Sequence, residues 1–231
     1  MGTMTGMDIA DRAWRKVNEE TGGTAVRWTA DEALDYINDA QREIVNINFK
    51  ANTLRSNPTL AAGSRQDLKL MGLTDAISLV TVYASMNSAG ATRIRSLTKR
   101  ERAWFDDNKP TWHTTVGDPV YWIYDDDEPT VFWIYPQPSG AMKVELAYAA
   151  SPAPLATLAD TIVLPDTYAN AIQYFVLFSF FSKRTNYAGD PNMAQAYYAL
   201  FQNSAGGSAG SVKMAEGAAA SKSTGIVGAA S

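Results

Sequence analysis

The first fifty residues alternate apolar and polar side chains with the period of an amphipathic α-helix, and the pattern predicts two helices. The first covers residues 8–20, and its apolar stripe lies at Ile9, Ala13 and Val17. The second covers residues 30–49, and its apolar stripe lies at Ala33, Ile37, Ala40, Ile44 and Ile47. Thr29 and Glu32 have the spacing of a capping box, and Trp28 stands where a hydrophobic staple would, so the start of the second helix is well marked.

The middle of the chain changes to the period of β-strands. Runs of β-branched and apolar residues predict strands over residues 65–70 and 77–83. Two aromatic runs, 120–124 and 131–135, flank an acidic turn that contains a proline, and this arrangement is typical of a β-hairpin. Residues 142–148 alternate enough to be a third strand, which we expect in the same sheet as the hairpin.

Later helix-start signals predict three further helices. Thr98 and Glu101 repeat the capping-box spacing, which predicts a short helix over residues 99–106. The Pro165–Asp166 pair is typical of a first helical turn, where proline is tolerated and a carboxylate meets the positive end of the helix dipole. Asp190–Pro191 predicts an N-cap followed by the first residue of a last helix. The face predicted for that helix consists of Met193, Tyr197, Leu200 and Phe201.

The helix that begins near Pro165 is apolar on nearly all sides from Tyr168 onwards. Such a helix is either buried on most sides or placed in a membrane. Its unbroken apolar run is only about half of the roughly 20 residues that a bilayer crossing needs. We therefore predict a core helix, around which the rest of the chain is organised.

These elements predict an α+β fold in which a helical bundle contains an inserted antiparallel β-rich domain. The predicted parts are N-terminal helices over 1–52, a β-rich domain over 53–158, and C-terminal helices over 159–203. Residues 204–231 are mostly alanine, glycine and serine, so they cannot bury enough apolar area to offset their ordering entropy. We expect this segment to be a disordered C-terminal arm, which either stays floppy or becomes ordered against a partner.

The composition of the chain indicates no active site. The 231 residues include one histidine and no cysteine, so thiolate chemistry is excluded and zinc sites have too few ligands. His113 stands in a loop-like stretch, and no G-x-S-x-G motif surrounds a serine. The densest acidic cluster lacks the EF-hand spacing and is predicted to be a solvated turn; it consists of Asp125, Asp126, Asp127 and Glu128. We predict no catalytic residue, cofactor or metal.

The overall charge and the N-terminal residues indicate neither a polyanion-binding protein nor a signal peptide. The net charge of −4 makes the chain as a whole no strong polyanion binder. Residues 1–7 lack the basic and long apolar regions of a signal peptide, so we expect a soluble, intracellular protein.

One basic cluster with neighbouring aromatic residues is a candidate interaction surface, called here the basic patch. It consists of Arg93, Arg95, Lys99, Arg100 and Arg102. Trp104 and Phe105 follow it, and basic groups interleaved with aromatic rings can bind single-stranded nucleic acid. The same residues also suit an acidic protein partner or a solvated face, so three interpretations stay open.

The order of motifs along the chain resembles that of the head-to-tail adaptor proteins of tailed bacteriophages. This family is also known as connectors or gatekeepers and includes the tail tubular proteins A. The resemblance begins in the helix 34–44 (LDYINDAQREI) and continues in the strand 132–138 (FWIYPQP), which ends in Pro-x-Pro. It extends through 144–148 (VELAY), 160–168 (DTIVLPDTY) and 197–201 (YYALF).

The resemblance implies a structural virion protein at the head–tail junction and not an enzyme. Members of that family form a ring of twelve beneath the portal, with helical bundles side by side, the β domain towards the tail, and DNA passing through the lumen. The implied partners are the portal protein, a tail or nozzle protein and further copies of this chain, with assembly in the host cytoplasm and no membrane. The DNA would be conducted during ejection without sequence-specific binding.

The resemblance also assigns roles to two segments. The C-terminal arm commonly docks on the portal in that family, so the candidate portal-binding residues are Val212, Lys213, Met214, Ile226 and Val227. The acidic turn 125–128 becomes the candidate tail-facing hairpin tip. Two alternatives come from other classes: a nucleic-acid-binding β module that uses the basic patch, and a hydrolase that uses the acids of the turn.

Overall fold

A computed structural model shows a chain of mixed α and β structure, which confirms the α+β fold class. The structure describes residues 2–18, 27–183 and 190–206. The chain divides into two compact units. One unit combines residues 1–48 with 153–231 and is called the helical unit; the other comprises residues 49–152 and is called the β unit.

Within the described residues the chain forms five helices and eight strands. The helices are α1 (Gly6–Lys16), α2 (Ala30–Ile47), α3 (Arg102–Asn108), α4 (Ala169–Ser182) and α5 (191–206). The strands are β1 (Thr53–Ser56), β2 (Arg65–Asp67), β3 (Ala76–Met86), β4 (Arg93–Ser96), β5 (Thr98–Lys99), β6 (Tyr121–Tyr124), β7 (Val131–Tyr135) and β8 (Lys143–Ala150). Only α3 belongs to the β unit among these helices.

Capping boxes start both N-terminal helices. The predicted box at α2 is confirmed: the Thr29 amide donates to Glu32 Oε2 at 3.1 Å, and the Glu32 amide donates to Thr29 Oγ1 at 3.4 Å. Helix α1 begins two residues before its predicted start, because Thr5 and Asp8 form a second capping box there. Sequence analysis missed that box because aspartate stands in place of the usual Glu or Gln.

The core of the helical unit lies where α1, α2 and α4 pack against one another. Helix α4 is buried along most of its length, which confirms the predicted core helix. Trp28 lies in this core: its ring stacks on Phe180 with a centroid distance of 5.0 Å, and its Nε1 donates to the Phe180 carbonyl at 3.2 Å. Trp14 donates in turn to the Trp28 carbonyl at 2.9 Å. Among the described residues no helix is both long and apolar enough to cross a membrane.

The polar residues of α2 bind the backbone of the returning chain. Asn38 accepts a hydrogen bond from the Leu155 amide at 2.8 Å and donates to the Leu155 carbonyl at 3.1 Å. Gln41 Oε1 accepts from the Val163 amide at 3.0 Å. These two residues belong to the 34–44 motif, so part of that motif holds segment 153–164 against the helix.

Asp166 does not cap α4 as the sequence predicted. A 3₁₀ turn, Asp166–Tyr168, precedes the helix, and no side chain caps it. The carboxylate instead accepts hydrogen bonds from the Thr3 amide at 2.8 Å and from the Thr3 hydroxyl at 2.7 Å, with a third bond from the Met4 amide. The Thr3 hydroxyl, more than the two amides, lowers the pKa of Asp166 below its ordinary value.

Acidification is expected to release this N-terminal segment. Because the folded-state pKa of Asp166 is lowered, its stabilisation is complete above the unfolded value of about 3.9 and is lost as the pH falls through the lower folded-state pKa. Hydrogen-exchange protection of the Thr3 and Met4 amides should therefore be constant down to about pH 4 and decline below it. Asp166→Ala should remove that protection at neutral pH, whereas Asp118→Ala, at an exposed carboxylate, should not. Unchanged protection in Asp166→Ala would contradict this role.

Helix α5 has the predicted cap, and Phe201 of its predicted face is buried, but Met193 and Leu200 of that face are exposed. The amides of Asn192 and Met193 donate to Asp190 Oδ1, which confirms the cap. The buried side chains are Ala194, Phe201 and Ala205, whereas the predicted face residues Met193 and Leu200 are 39% and 44% exposed. The helix also continues to residue 206, three residues into the segment predicted to be disordered.

The β unit is built from two four-stranded sheets. Their strand orders are β1-β8-β3-β4 and β2-β7-β6-β5, and all pairs are antiparallel except β5 with β6. The predicted hairpin is confirmed as β6 and β7, with Trp122 opposite Ile134. One buried cluster joins side chains of both sheets, among them Val82, Leu146, Tyr148, Trp122, Phe132 and Ile134.

The prediction that residues 142–148 form a third strand in the sheet of the hairpin is wrong. Strand β8 pairs with β1 and β3, and not with the hairpin. Nearly all of its side chains are buried, which requires neighbours on both edges and both faces. Inward-facing Val144 and Leu146 meet Phe132 of β7 across the core, so the hairpin lies opposite β8 and not beside it.

Two shorter predictions in the β unit were also wrong. The strand predicted over 65–70 ends at Asp67, where the chain enters a turn. The helix predicted over 99–106 begins only at Arg102, and Thr98 does not cap it. The Thr98 amide donates instead to the Val120 carbonyl at 3.1 Å, so this backbone is used by the sheet.

Candidate interaction surfaces

The basic patch lies along residues 93–102 of the β unit, a stretch that is exposed apart from the buried Leu97. Arg93 and Arg95 are on strand β4, Lys99 is on β5, Arg100 is in the connection, and Arg102 begins α3. All five residues are exposed. Arg93 is partly neutralised, because its guanidinium forms an ion pair with Glu145.

Three cations of the basic patch lie over aromatic rings of the same unit. Lys99 Nζ is 5.5 Å from the ring centroids of Trp122 and Tyr124, and the Arg100 guanidinium is 5.6 Å from those of Trp104 and Tyr121. The Arg102 guanidinium is 5.3 Å from the centroid of Trp133. Single-stranded nucleic acid needs free aromatic faces on which to stack bases. Here intramolecular cations cover those faces, which does not favour the nucleic-acid alternative.

A second buried cluster supports the basic patch from beneath. Helix α3 and the turn after it pack Phe105 and Trp112 on a face of the sheet formed by Ile123, Val131 and Trp133. Trp112 Nε1 donates to Asp106 Oδ1 at 2.9 Å and so fixes the end of α3. Sequence analysis identified the aromatic neighbours of the cations but not this packing, which depends on contacts distant in sequence.

The acidic turn 125–128 forms the tip of the β6–β7 hairpin. The Asp127 amide donates to Asp125 Oδ1 at 3.2 Å, which is an ordinary turn contact. Glu128 lies 3.5 Å from Arg65 in an exposed ion pair, and Asp126 and Asp127 are exposed. Among the described residues no group of three or more potential ligands is arranged to hold a metal ion. The tip is therefore a solvated acidic projection.

Neither His113 nor one surface depression of the β unit brings catalytic side chains together. His113 is exposed, and its ring stacks on that of Trp112 with a centroid distance of 3.5 Å. Its Nδ1 is 3.2 Å from Ser64 Oγ. A depression of about 320 Å³ lies between two loops of the same unit. Its lining has no ionisable side chain and consists of Thr59, Leu60, Ala61, Ala62, Pro138, Ser139, Gly140 and Ala141.

The helical unit carries two charged surfaces that sequence analysis did not single out. The first, on α2, is called the acidic ridge and consists of Asp31, Asp35 and Asp39. The second, on α1, is called the basic ridge and consists of Arg12, Arg15 and Lys16. All six side chains are exposed. Their spacing of three or four residues was a readable signal, because it places each set on one side of its helix.

The candidate portal-binding residues between 212 and 227 lie outside the described residues.

Comparison with known protein families gives a match over most of the chain. The family model described as "SU10 adaptor protein" matches residues 4–224, which is nearly the whole chain and includes both units. No curated protein matches.

Proposed function

The chain belongs to the SU10 adaptor protein family, and from that premise we propose that it joins the portal of a phage head to the tail. The family is one of structural phage adaptors and is not known to be enzymatic, which supports a structural role for this protein. The match over residues 4–224 is the observation that carries the proposal.

We propose further that the assembled form is a ring, with twelve copies as the expected number and the DNA passing through its lumen. The helical units would pack side by side, and the hairpin tip 125–128 would face a tail or nozzle protein. Two observations support an assembly with several contacts per copy: the chain has two compact units, and each has its own buried core. The net charge of −4 also suits a conduit, because a basic lumen would bind phosphates and stall their transit.

The C-terminal segment is the proposed attachment to the portal. Five candidate residues lie between Val212 and Val227, in a segment otherwise dominated by small residues. A segment that becomes ordered only on its partner couples assembly to the presence of that partner.

Native mass spectrometry of the full chain, alone and with the portal, tests both proposals. We expect a monomer alone and a ring on the portal. Replacing Val212, Met214, Ile226 and Val227 by serine should abolish that ring, because these are the main apolar anchors of the segment. A matched control replaces Ala209, Ala215, Ala218 and Ala229 by serine and should assemble like the wild type.

The outcomes separate the competing functions. A full chain that ignores the portal at micromolar concentration would overturn the adaptor proposal, and salt-sensitive retention on DNA would then favour the nucleic-acid alternative. A ring that forms equally well with the serine variant would leave the adaptor role intact and remove the portal-binding role of the four residues.

A further inference from the structure

The acidic and basic ridges are exposed charges, most of which lack a close ion pair with the described residues, although Arg12 lies one helical turn from Asp8 and interacts with it electrostatically. Arg12, Arg15 and Lys16 form no ion pair with any described residue, and the same holds for Asp31 and Asp35. Asp39 is paired with Arg42 at 2.6 Å. Like charges four residues apart on a helix destabilise it, and both ridges contain such a pair. Each ridge is therefore unfavourable in the isolated chain and would be relieved by a partner of opposite charge.

The helix dipole accounts for only part of these charges. Carboxylates in a first turn and cations in a last turn are favourable, which explains Asp31 in α2 and Arg15 with Lys16 in α1. The effect falls off within one turn, so it does not explain Asp35, and Arg12 is explained only in part, by its attraction to Asp8 one turn earlier. These two residues extend the charged surface beyond the region that the dipole favours.

The packing of the three helices places the two ridges on different sides of the unit. Helices α1, α2 and α4 contact one another pairwise around a shared core. The exposed face of each helix must point away from that core, so the ridges of α1 and α2 diverge. Two complementary patches on different sides of one molecule favour head-to-tail contact between identical copies, which generates a ring or a filament.

We infer that the acidic ridge of one copy binds the basic ridge of the next copy. The partner is a second copy of this chain because the two surfaces are opposite in charge and the shorter basic ridge fits along the longer acidic ridge. The acidic ridge is about 12 Å long and the basic ridge about 6 Å, at about 1.5 Å per helical residue. Such a contact is sensitive to salt and selects the correct neighbour and its orientation. The inference rests on the proposed ring and names one of its contacts.

Charge reversal tests the contact in the full chain mixed with the portal. The acid-reversed variant is Asp31→Lys with Asp35→Lys, and the base-reversed variant is Arg12→Glu with Arg15→Glu. Each variant alone should form rings at a population about tenfold or more below that of the wild type, because both of its ridges then carry charges of the same sign. A matched control, Asp107→Lys with Asp118→Lys, reverses two exposed carboxylates of the β unit and should assemble normally. Circular dichroism checks that all variants are folded.

Mixing the two variants gives the decisive result. Every acid-reversed ridge can then meet a base-reversed ridge, and every native acidic ridge can meet a native basic ridge. Rings should return with strictly alternating composition, and therefore with an even number of subunits. The chain that carries all four reversals should also assemble by itself. Reversed variants that form rings as well as the wild type, or a mixture that forms none, would overturn the inference.

Cross-linking supplies a readout that needs no portal. The chain has no cysteine, so single cysteines can be placed at Arg12 and Asp35 in separate variants. A short bis-maleimide should join the two variants to each other at high protein concentration, but should join neither to itself. Self-linking as efficient as cross-linking would overturn the inference. A wild type that fails to assemble on the portal would instead overturn the proposed function, so the two failures are distinguishable.

Discussion

Replacing Trp28 by alanine is expected to lower the free energy of unfolding of the helical unit by about 3–5 kcal/mol. The indole is only 2% exposed and stacks on Phe180 of the core helix. Its loss removes that contact and leaves a cavity between α2 and α4. It also removes the Nε1 donor to the Phe180 carbonyl, which lies near the C-terminal end of α4, where helix carbonyls need partners.

Urea unfolding followed by circular dichroism measures this loss, and hydrogen exchange of α4 amides localises it. Leu70→Ala is a suitable control, because Leu70 is 83% exposed and its removal should change stability by no more than about 0.5 kcal/mol. If Trp28→Ala lowered the free energy of unfolding by no more than the Leu70→Ala control, Trp28 would not hold the helices together.

In the β unit, Phe132→Ala is expected to have an effect of the same order, about 3–5 kcal/mol. Phe132 is fully buried on β7, between β2 and β6, and its side chain contributes to the cluster that joins the two sheets. Removing it leaves a cavity that the surrounding backbone cannot close, because both of its neighbouring strands are fixed by their ladders.

Hydrogen exchange of the β7 and β8 amides should show this weakening together with a lower urea midpoint. The control is Ile94→Ala on β4, where the side chain is 51% exposed and contributes little to the core. Protection of β8 that equals the wild type would mean that the two sheets do not depend on Phe132 for their packing.

Helix starts were predictable where no β-sheet uses the backbone of the capping residues. Thr29 with Glu32 and Asp190 both cap as the sequence indicates. Thr98 with Glu101 has the same spacing and fails, because the strand pairing of Thr98 and Lys99 with β6 uses that backbone first. Local patterns do not show which carbonyls from distant segments compete for an amide.

Contacts between distant segments account for the other failures. The alternation in 142–148 identifies a strand but not its neighbours, and the neighbours of β8 come from residues about 60 to 95 positions earlier. Asp166 has a helix-start position, yet its partners lie more than 160 residues away. On α5, the pattern selected Met193, whereas the neighbouring Ala194 is the residue that is buried.

The candidate surfaces show the same contrast between features that a local pattern predicts and features that depend on contacts between distant segments. The positions of the basic patch and of the acidic turn could be read from composition, because charged residues stay exposed. The aromatic rings beneath Lys99, Arg100 and Arg102 could not be read from composition, because they come from β6, β7 and α3 together. The two ridges were readable in principle from their spacing, but their divergence depends on how α1 and α2 pack.

The interrupted sequence of the helical unit has a consequence for biosynthesis. Helix α2 leaves the ribosome long before α4, because residues 49–152 are translated between them, which takes about 5–20 s at about 5–20 residues per second. During that interval α1 and α2 have each other but lack α4, against which both pack, while the contiguous β unit can fold as soon as it emerges. The nascent chain should therefore bind a holding chaperone until Phe180 is made, and the adaptor becomes competent to assemble only at the end of translation.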